Sequence, residues 1–315
     1  MTVRWGFIGA GYVASRAMAP AVHATPNASL YAVASRDQER SATLEPQVVH
    51  RSYQDLINDP MVDAVYISLT NAQHKEWVLA ALNAGKHVLC EKPLAMNASE
   101  VGTMLDAATR NNRLLVEAVW TRWQPRMQRM AQIVKSGELG EVTGISSAFT
   151  FQGDLTNNYR LDPSLGGGAL LDVGVYQAHL WLMLLNEDVS FSIESVERTM
   201  GDTGVDLTTR AQLQLNNSVT AHLVSSFDLP PQQHIEVTGT TATMRTGEGE
   251  AFTLWKQPST LLIGETAEHF EADDAFALMV HGVSVAIEAG KPTIFPAASS
   301  LRAAEITDAI SRFKN

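Results

Sequence analysis

Val3-Arg4-Trp5-Gly6-Phe7-Ile8-Gly9-Ala10-Gly11-Tyr12-Val13-Ala14 is the stretch that decides the fold. Val3 to Ile8 reads as a short apolar strand. It runs directly into a glycine turn, and an Ala-rich apolar helix pattern follows. Strand, glycine turn and helix in succession are the setting in which such a turn signals a dinucleotide site. Gly9 permits the tight turn, and Gly11 lets the backbone approach a pyrophosphate with no Cβ in the way. Ala14 stands at the third glycine position, which sets only helix–strand packing. Tyr12 and Val13 open the helix, whose free N–H groups and positive dipole end suit phosphate.

Composition sets the frame around this stretch. The chain has 315 residues, 45% hydrophobic and 18% charged, which fits two domains with a sizeable core. No apolar run approaches the roughly 20 residues that span a bilayer. The apolar start is a strand the fold needs, and no signal peptide is expected. One cysteine, Cys90, excludes an intrachain disulfide and fits a reducing compartment, so a cytoplasmic setting is expected. The balance of 23 basic against 34 acidic residues, net −11, argues against nucleic-acid and anionic-membrane partners. Small neutral substrates stay open, and no metal site is expected.

Strand and helix patterns alternate up to about residue 118. Apolar runs at 30–34, 62–68, 87–90 and 114–116 are separated by helical stretches such as 74–83 and 98–111. Short apolar runs between helices imply a parallel sheet buried on both faces, a doubly wound Rossmann domain. The expected first domain is 1–119. From Trp120 the texture changes to β-rich segments at 142–151, 190–199, 208–215, 219–227 and 235–244, after a helix ending at Gly137. Ala211, Leu213 and Leu215 alternate with polar residues, and Asn216-Asn217-Ser218 turns the chain as in a hairpin. The expected second domain, 120–297, is α+β with a large, mainly antiparallel open sheet. The final helix pattern, within 298–315, is expected to pack back on the first domain. Sheet face beyond what one helix layer covers predicts an exposed apolar patch and self-association, as a homodimer or larger closed assembly.

Three further segments carry chemistry. Ser35-Arg36-Asp37 ends the second strand, where an acidic residue would bind a ribose 2′-hydroxyl. A small hydroxyl and a guanidinium there suit a 2′-phosphate, and Arg40 lies one turn on. Asp37 keeps the alternative open, since a two-residue shift brings a carboxylate to the ribose. Cys90-Glu91-Lys92-Pro93 lies at the carboxyl end of an apolar strand, where open parallel sheets bind ligands. Lys92 there can bind a substrate oxygen or lower the pKa of a neighbouring acid. Gly166-Gly167-Gly168-Ala169-Leu170-Leu171-Asp172-Val173-Gly174-Val175-Tyr176 starts a helix with three glycines that let the backbone pass close to a ligand. Asp172 and Tyr176, four apart, share one otherwise apolar helix face. His179, near the same face, reads more readily as a packed core histidine.

Together, the glycine turn, Glu91-Lys92-Pro93 and the GGGALLDVGVY run resemble the glucose–fructose oxidoreductase/inositol dehydrogenase/rhizopine-catabolism family over the whole chain. Glu117 to Trp123 and Tyr159 to Pro163 are similar to stretches of its dihydrodiol dehydrogenase and NADP-linked xylose dehydrogenase branch. The resemblance implies a catalytic set of Lys92, Asp172 and Tyr176. It implies that Thr70, Asn71 and His74 line the nicotinamide side, with Glu91 and Lys92 also expected to bind the cofactor, and a cis peptide at Pro93. Tyr176 stands where the inositol dehydrogenase branch has histidine, so neither a histidine base nor inositol carries over.

The expectation is an NADP-preferring oxidoreductase, with NAD as the alternative, acting on a carbinol or carbonyl of a sugar, polyol or cyclic diol. Tyr176 moves the proton and Lys92 favours the phenolate, because a free phenol with a pKa near 10 is a poor base at neutral pH. Asp172 holds Lys92 or a substrate hydroxyl. Trp120, Trp123 and Arg160 are expected as pocket walls. Two rivals stand beside this reading: a redox-assisted glycosidase or dehydratase with tightly held NAD, and a dinucleotide-binding regulator without turnover.

Overall fold

Short buried strands and capped helices build the first half of the computed structural model, which describes residues 2–249 and 251–314. In chain order these are β1 (Val3–Ile8), a π-helical turn Ala14–Met18 leading into α1 (Ala19–Ala24), β2 (Ala28–Ala34), α2 (Gln38–Ala42), β3 (Val48–His50) and α3 (Tyr53–Asn58). Then follow β4 (Ala64–Ile67), α4 (Asn71–Asn83), β5 (His87–Cys90), α5 (Ala98–Arg110) and β6 (Leu115–Glu117). The strands pair in the order β3-β2-β1-β4-β5-β6, all parallel. This is the doubly wound order, with its switch point between β1 and β4. β4 is buried at every position, as a strand covered on both faces must be. Side chains of Asp37, Ser52 and Asn97 accept backbone N–H groups at the starts of α2, α3 and α5. β3, too short to show a period, is the strand of this sheet that the sequence reading lacked.

The second half contains α6 (Pro125–Ser136), closed by Gly137 in the left-handed conformation, then β7 (Val142–Thr150). After short 3₁₀ turns, a π-helical start Leu170–Gly174 continues as α7 (Val175–Leu185). Then come β8 (Phe191–Met200), β9 (Asp206–Leu215), β10 (Val219–Ser226), β11 (Gln232–Gly239), β12 (Thr243–Thr246), β13 (Ser259–Ile263) and β14 (Thr266–Phe270). The eight strands pair in the order β14-β13-β12-β11-β7-β10-β9-β8, antiparallel except for the parallel pair β7–β10. The β9–β10 hairpin closes where expected, with Asn216 and Asn217 both at positive φ. The single expected strand 235–244 is two strands, β11 and β12, turning at 240–242. β13 and β14 of this second sheet were not read from the sequence either. Last are α8 (Ala275–Ala289) and α9 (Ala297–Arg312).

Register explains the sheet's two faces. Leu213, Ala221, Ile145, Val237 and Met244 stand side by side across five strands and are buried. The adjoining row, Gln212, His222, Ser146, Glu236 and Arg245, is polar and partly or fully exposed. In this row the open face is polar and not the exposed apolar patch expected: period-2 alternation sends its apolar neighbours to the helix-covered side. The helical stretch Pro163–Leu185 is long and apolar enough to cross a membrane by composition, but 83% of its apolar window is buried inside the protein.

The chain divides into one unit of Met1–Trp120 with Asp274–Ser300 and a second of Thr121–Asp273 with Leu301–Asn315. The expectation for the C-terminus is corrected accordingly. α8, not the final helix, packs on the first unit, with Phe276, Met279, Val280 and Val283 buried and Trp5 Nε1 donating to Ser284 Oγ at 3.2 Å. The end of the chain belongs to the second unit, where Arg198 bonds the carbonyls of Ile310 and Phe313 and Arg302 bonds that of Val189.

Candidate active site

In the first unit the site is built at the β1–β4 switch. Gly9 has φ +98°, and a Cβ there would lie 2.2 Å from the Ser68 carbonyl oxygen. The turn between two adjacent strand ends therefore demands glycine. Gly11 differs: a Cβ would meet only Ser68 Oγ, at 4.0 Å. The protein itself does not fill that space, which is the room a pyrophosphate requires. Ala14 is fully buried, as a helix–strand packing position must be. Tyr12 is exposed, with the Arg16 guanidinium 5.8 Å over its ring.

At the end of β2, Ser35 Oγ bonds the Asp37 carbonyl at 2.6 Å and Ser41 Oγ at 2.8 Å. Asp37 Oδ1 accepts the Arg40 N–H at 2.9 Å, and Oδ2 lies 3.7 Å from the Arg40 guanidinium. The Asp37 carboxylate is thus turned into its own helix as a cap. Arg36 and Arg40 are exposed beside it. These residues and the empty space at Gly11 fit a dinucleotide carrying a 2′-phosphate.

Thr70 and Asn71 begin α4 at the end of β4; Asn71 is buried, and Thr70 Oγ1 bonds Gln73 Oε1 at 2.9 Å. His74 is fully buried, with Nδ1 2.9 Å from the Pro93 carbonyl and Nε2 3.2 Å from that of Leu69. Burial pushes its pKa down, against the pull of these carbonyls and of Glu117. Both ring nitrogens of His74, expected to line the nicotinamide side, face the protein's own backbone. After β5, the Lys92–Pro93 peptide is cis. The Glu91 carboxylate accepts the Tyr66 hydroxyl at 2.7 Å. Burial raises the Glu91 carboxyl above the usual range, opposed by Tyr66 and Lys92. Trp120 is buried and stacks on Phe276 at 5.4 Å, so in this unit its face is taken up by protein.

In the second unit, the helix Leu170–Leu185 brings Asp172 and Tyr176 to one face, and Arg160 joins them. Arg160 Nε donates to Asp172 Oδ2 at 2.7 Å and Nη2 to Oδ1 at 3.4 Å. Burial works against the guanidinium's charge, but Asp172 outweighs it and holds Arg160 firmly protonated. Arg160, expected as a pocket wall, is thus the partner of Asp172. The Tyr176 ring lies 5.8 Å from Phe149 and 6.1 Å from Phe252, which stack on each other at 5.4 Å. The loop bearing Phe252 is tied down by Arg126 to the Ala251 carbonyl and Gln124 to that of Leu254. Trp123 and His179 are buried. Two glycines of the run are required by the protein itself: a Cβ at Gly167 would lie 2.4 Å from the Arg160 carbonyl oxygen. Gly168 has φ +118°, and a Cβ would lie 2.3 Å from Asp206 Oδ1, whose carboxylate caps Leu170 N–H.

Tyr66, Glu117, Phe149 and Phe252 are site residues that sequence reasoning missed. Phe149 sat on a recognised strand, while Phe252 lies in a loop with no periodic signal.

Comparison with known proteins bears on the whole chain. Residues 3–118 match the model of an oxidoreductase family with an NAD-binding Rossmann fold. Residues 127–245 match the GFO/IDH/MocA C-terminal domain. D-xylose 1-dehydrogenase (NADP(+)) 2 of Haloferax volcanii is 32% identical over 97% of this chain and 95% of its own. Trans-1,2-dihydrobenzene-1,2-diol dehydrogenase of Mus musculus is 32% identical over 85% of this chain and 80% of its own. A 3-ketoreductase from Actinomadura kijaniata, solved with NADP and TDP-benzene, superimposes with a TM-score of 0.89 at 29% identity, covering 99% of this chain and 97% of that one.

Proposed function

This chain belongs to the GFO/IDH/MocA oxidoreductase family, and from that premise we propose an NADP-preferring dehydrogenase or reductase of small neutral sugars, polyols or cyclic diols. The observation that carries the cofactor assignment is the unfilled space at Gly11 beside a glycine-only turn at Gly9. Arg36 and Arg40 select the 2′-phosphate, since Asp37 is committed to capping its helix. Thr70, Asn71, Glu91 and Lys92 border the nicotinamide.

When bound, the cofactor supplies hydride transfer at nicotinamide C4. Tyr176 takes the substrate hydroxyl proton in oxidation and returns it in reduction. Its ring is held by Phe149 and Phe252, so the hydroxyl has a defined direction. Lys92 supplies the positive charge that lets a phenol serve as base near neutral pH. Asp172, held by Arg160, orients a substrate hydroxyl.

An initial-rate screen of aldoses, polyols and dihydrodiols with NADP and NAD tests this. Turnover with at least one of these classes, faster at low NADP than at low NAD, is expected. Failure of all three classes with both cofactors sinks the reading. We also propose a cytoplasmic protein without nucleic-acid or membrane partners, in keeping with a net charge of −11 and a buried, free Cys90. Cell fractionation tests that. The proposed assembly is a homodimer through the open sheet face, where Glu236 and Arg245 lie side by side in one polar row. A monomer mass in light scattering at all concentrations removes it.

A further inference from the structure

The segment Glu91–Leu94 leaves the sheet after the Glu91 N–H bonds the Ile67 carbonyl at 3.0 Å, and it has no helix or strand of its own. It nevertheless carries Lys92. Buried side chains on three different elements reach it. From β4, the Tyr66 hydroxyl donates to Glu91 at 2.7 Å. From α4, His74 Nδ1 lies 2.9 Å from the Pro93 carbonyl. From β6, the Glu117 carboxylate accepts the Leu94 N–H at 2.9 Å. Tyr66, His74 and Glu117 are each almost wholly buried. Burying a phenol, an imidazole and a carboxylate is unfavourable unless each finds a partner. Here the partners converge on four consecutive residues.

We propose that His74, together with Tyr66 and Glu117, is a positioning residue that aims the Lys92 ammonium by fixing the backbone on both sides of it. This rests on the assignment of Lys92 to catalysis above. A neutral imidazole has one N–H. In the proposed arrangement that proton lies on Nδ1, which makes the shorter contact, 2.9 Å to the Pro93 carbonyl against 3.2 Å from Nε2 to that of Leu69.

The tautomer makes the proposal testable by isosteres. An asparagine amide places N–H near the Nδ1 position, and a glutamine amide places it near Nε2. His74→Ala and His74→Gln are expected to lower kcat about 10²-fold, the loss that a misplacement near 1 Å produces. NADP affinity should stay within about threefold. His74→Asn should restore most of the lost turnover. In the oxidation direction, the acid limb of the kcat/KM profile should move to higher pH in His74→Gln, because a misaimed ammonium stabilises the phenolate less. Tyr66→Phe, which removes only the hydroxyl, should lower kcat about tenfold with the same direction of shift.

Lys92→Met is assayed alongside. Normal turnover in Lys92→Met removes the catalytic assignment itself. An inactive Lys92→Met with wild-type kcat and profile in His74→Gln overturns only the positioning role. Equal impairment in His74→Asn and His74→Gln, or a loss confined to cofactor affinity, also overturns it. Should the His74 variants fail to fold, an unchanged kcat and profile in Tyr66→Phe is decisive against it.

Discussion

The segment after β5 and the helix Leu170–Leu185 each carry a proposed catalytic side chain, and they hold it by opposite means. Lys92 sits on irregular backbone strapped by Tyr66, His74 and Glu117, whose partners in the segment lie 19 to 25 positions away in sequence. Tyr176 sits on a helix whose own ladder puts Asp172 on the same face, four residues earlier. Its ring packs near Phe149 and Phe252, 27 and 76 positions away, while Asp172 on the same face is held by Arg160, 12 positions before it. A helix sets the backbone of its residues by local hydrogen bonds, whereas a strapped loop takes even its backbone position from side chains on other elements. The two regions should therefore fail differently when altered.

The largest effect is expected at the two side chains proposed to act on one proton. Tyr176→Phe keeps the ring and should lower kcat about 10²–10⁴-fold in stopped-flow or steady-state assays. Lys92→Met should do the same, and the double variant should lose little more, because groups acting together are non-additive. Full additivity would break the pairing of the two regions. Near-normal turnover in Tyr176→Phe would leave the phenol a structural group.

Stability separates the regions next. Gly168→Ala forces a Cβ into Asp206 at positive φ, so the start of the helix should lose roughly 2–3 kcal/mol in urea unfolding. Gly11→Ala at the glycine turn should leave the unfolding midpoint nearly unchanged while weakening NADP, measured by fluorescence titration. Equal destabilisation by the two substitutions would remove the distinction between a glycine the fold requires and one the ligand requires.

Arg36 and Arg40, the proposed selectors of the cofactor, both lie in the first unit. Arg36→Ala should weaken NADP by about 1.5–3 kcal/mol, roughly ten- to hundredfold, and NAD little. Tighter NAD than NADP binding by the wild type would show that Asp37 governs the ribose despite capping α2.

The smallest effect is a control outside both regions. Arg4 bonds Asp63 through two side-chain contacts, at 2.9 and 2.7 Å. Burial favours the neutral acid, but Arg4 prevails and holds the Asp63 carboxyl below the usual range. A lowered carboxyl pKa contributes stability above the unfolded value of about 3.9 and loses it as pH falls through the folded value. Asp63→Asn should therefore cost about 1 kcal/mol at pH 7, and the gap to wild type should narrow as pH falls below the unfolded value. A constant gap would mean that packing and not charge is responsible.

Much of the fold was legible because parallel strands and amphipathic helices repeat with short periods. Gly9, Gly11 and Ala14 announced the switch-point turn, and Asn216-Asn217 announced a hairpin. β3 escaped notice because three residues carry no period. Trp120, Trp123 and Arg160 were readable as site types but not as contacts. Whether a ring faces a cavity or stacks on Phe276, 156 positions on, depends on tertiary packing. The same holds for the sheet: alternation was visible, but which face stayed open was not.

The sequence by itself determined a dinucleotide-binding turn, two classes of sheet, and Lys92, Asp172 and Tyr176 as the residues to test. The turn and the sheets depend on neighbours within about a helical turn or on glycine's freedom to take positive φ, whereas the three residues came from the family resemblance. Only the tertiary structure decided that Gly168 serves Asp206, that Asp37 caps its own helix, that α8 returns to the first unit, and that His74 grips the segment bearing Lys92. The physical reason is one and the same. A buried polar group must find a partner, and which partner it finds is settled by whatever the fold brings within about 3 Å, however far away in the chain.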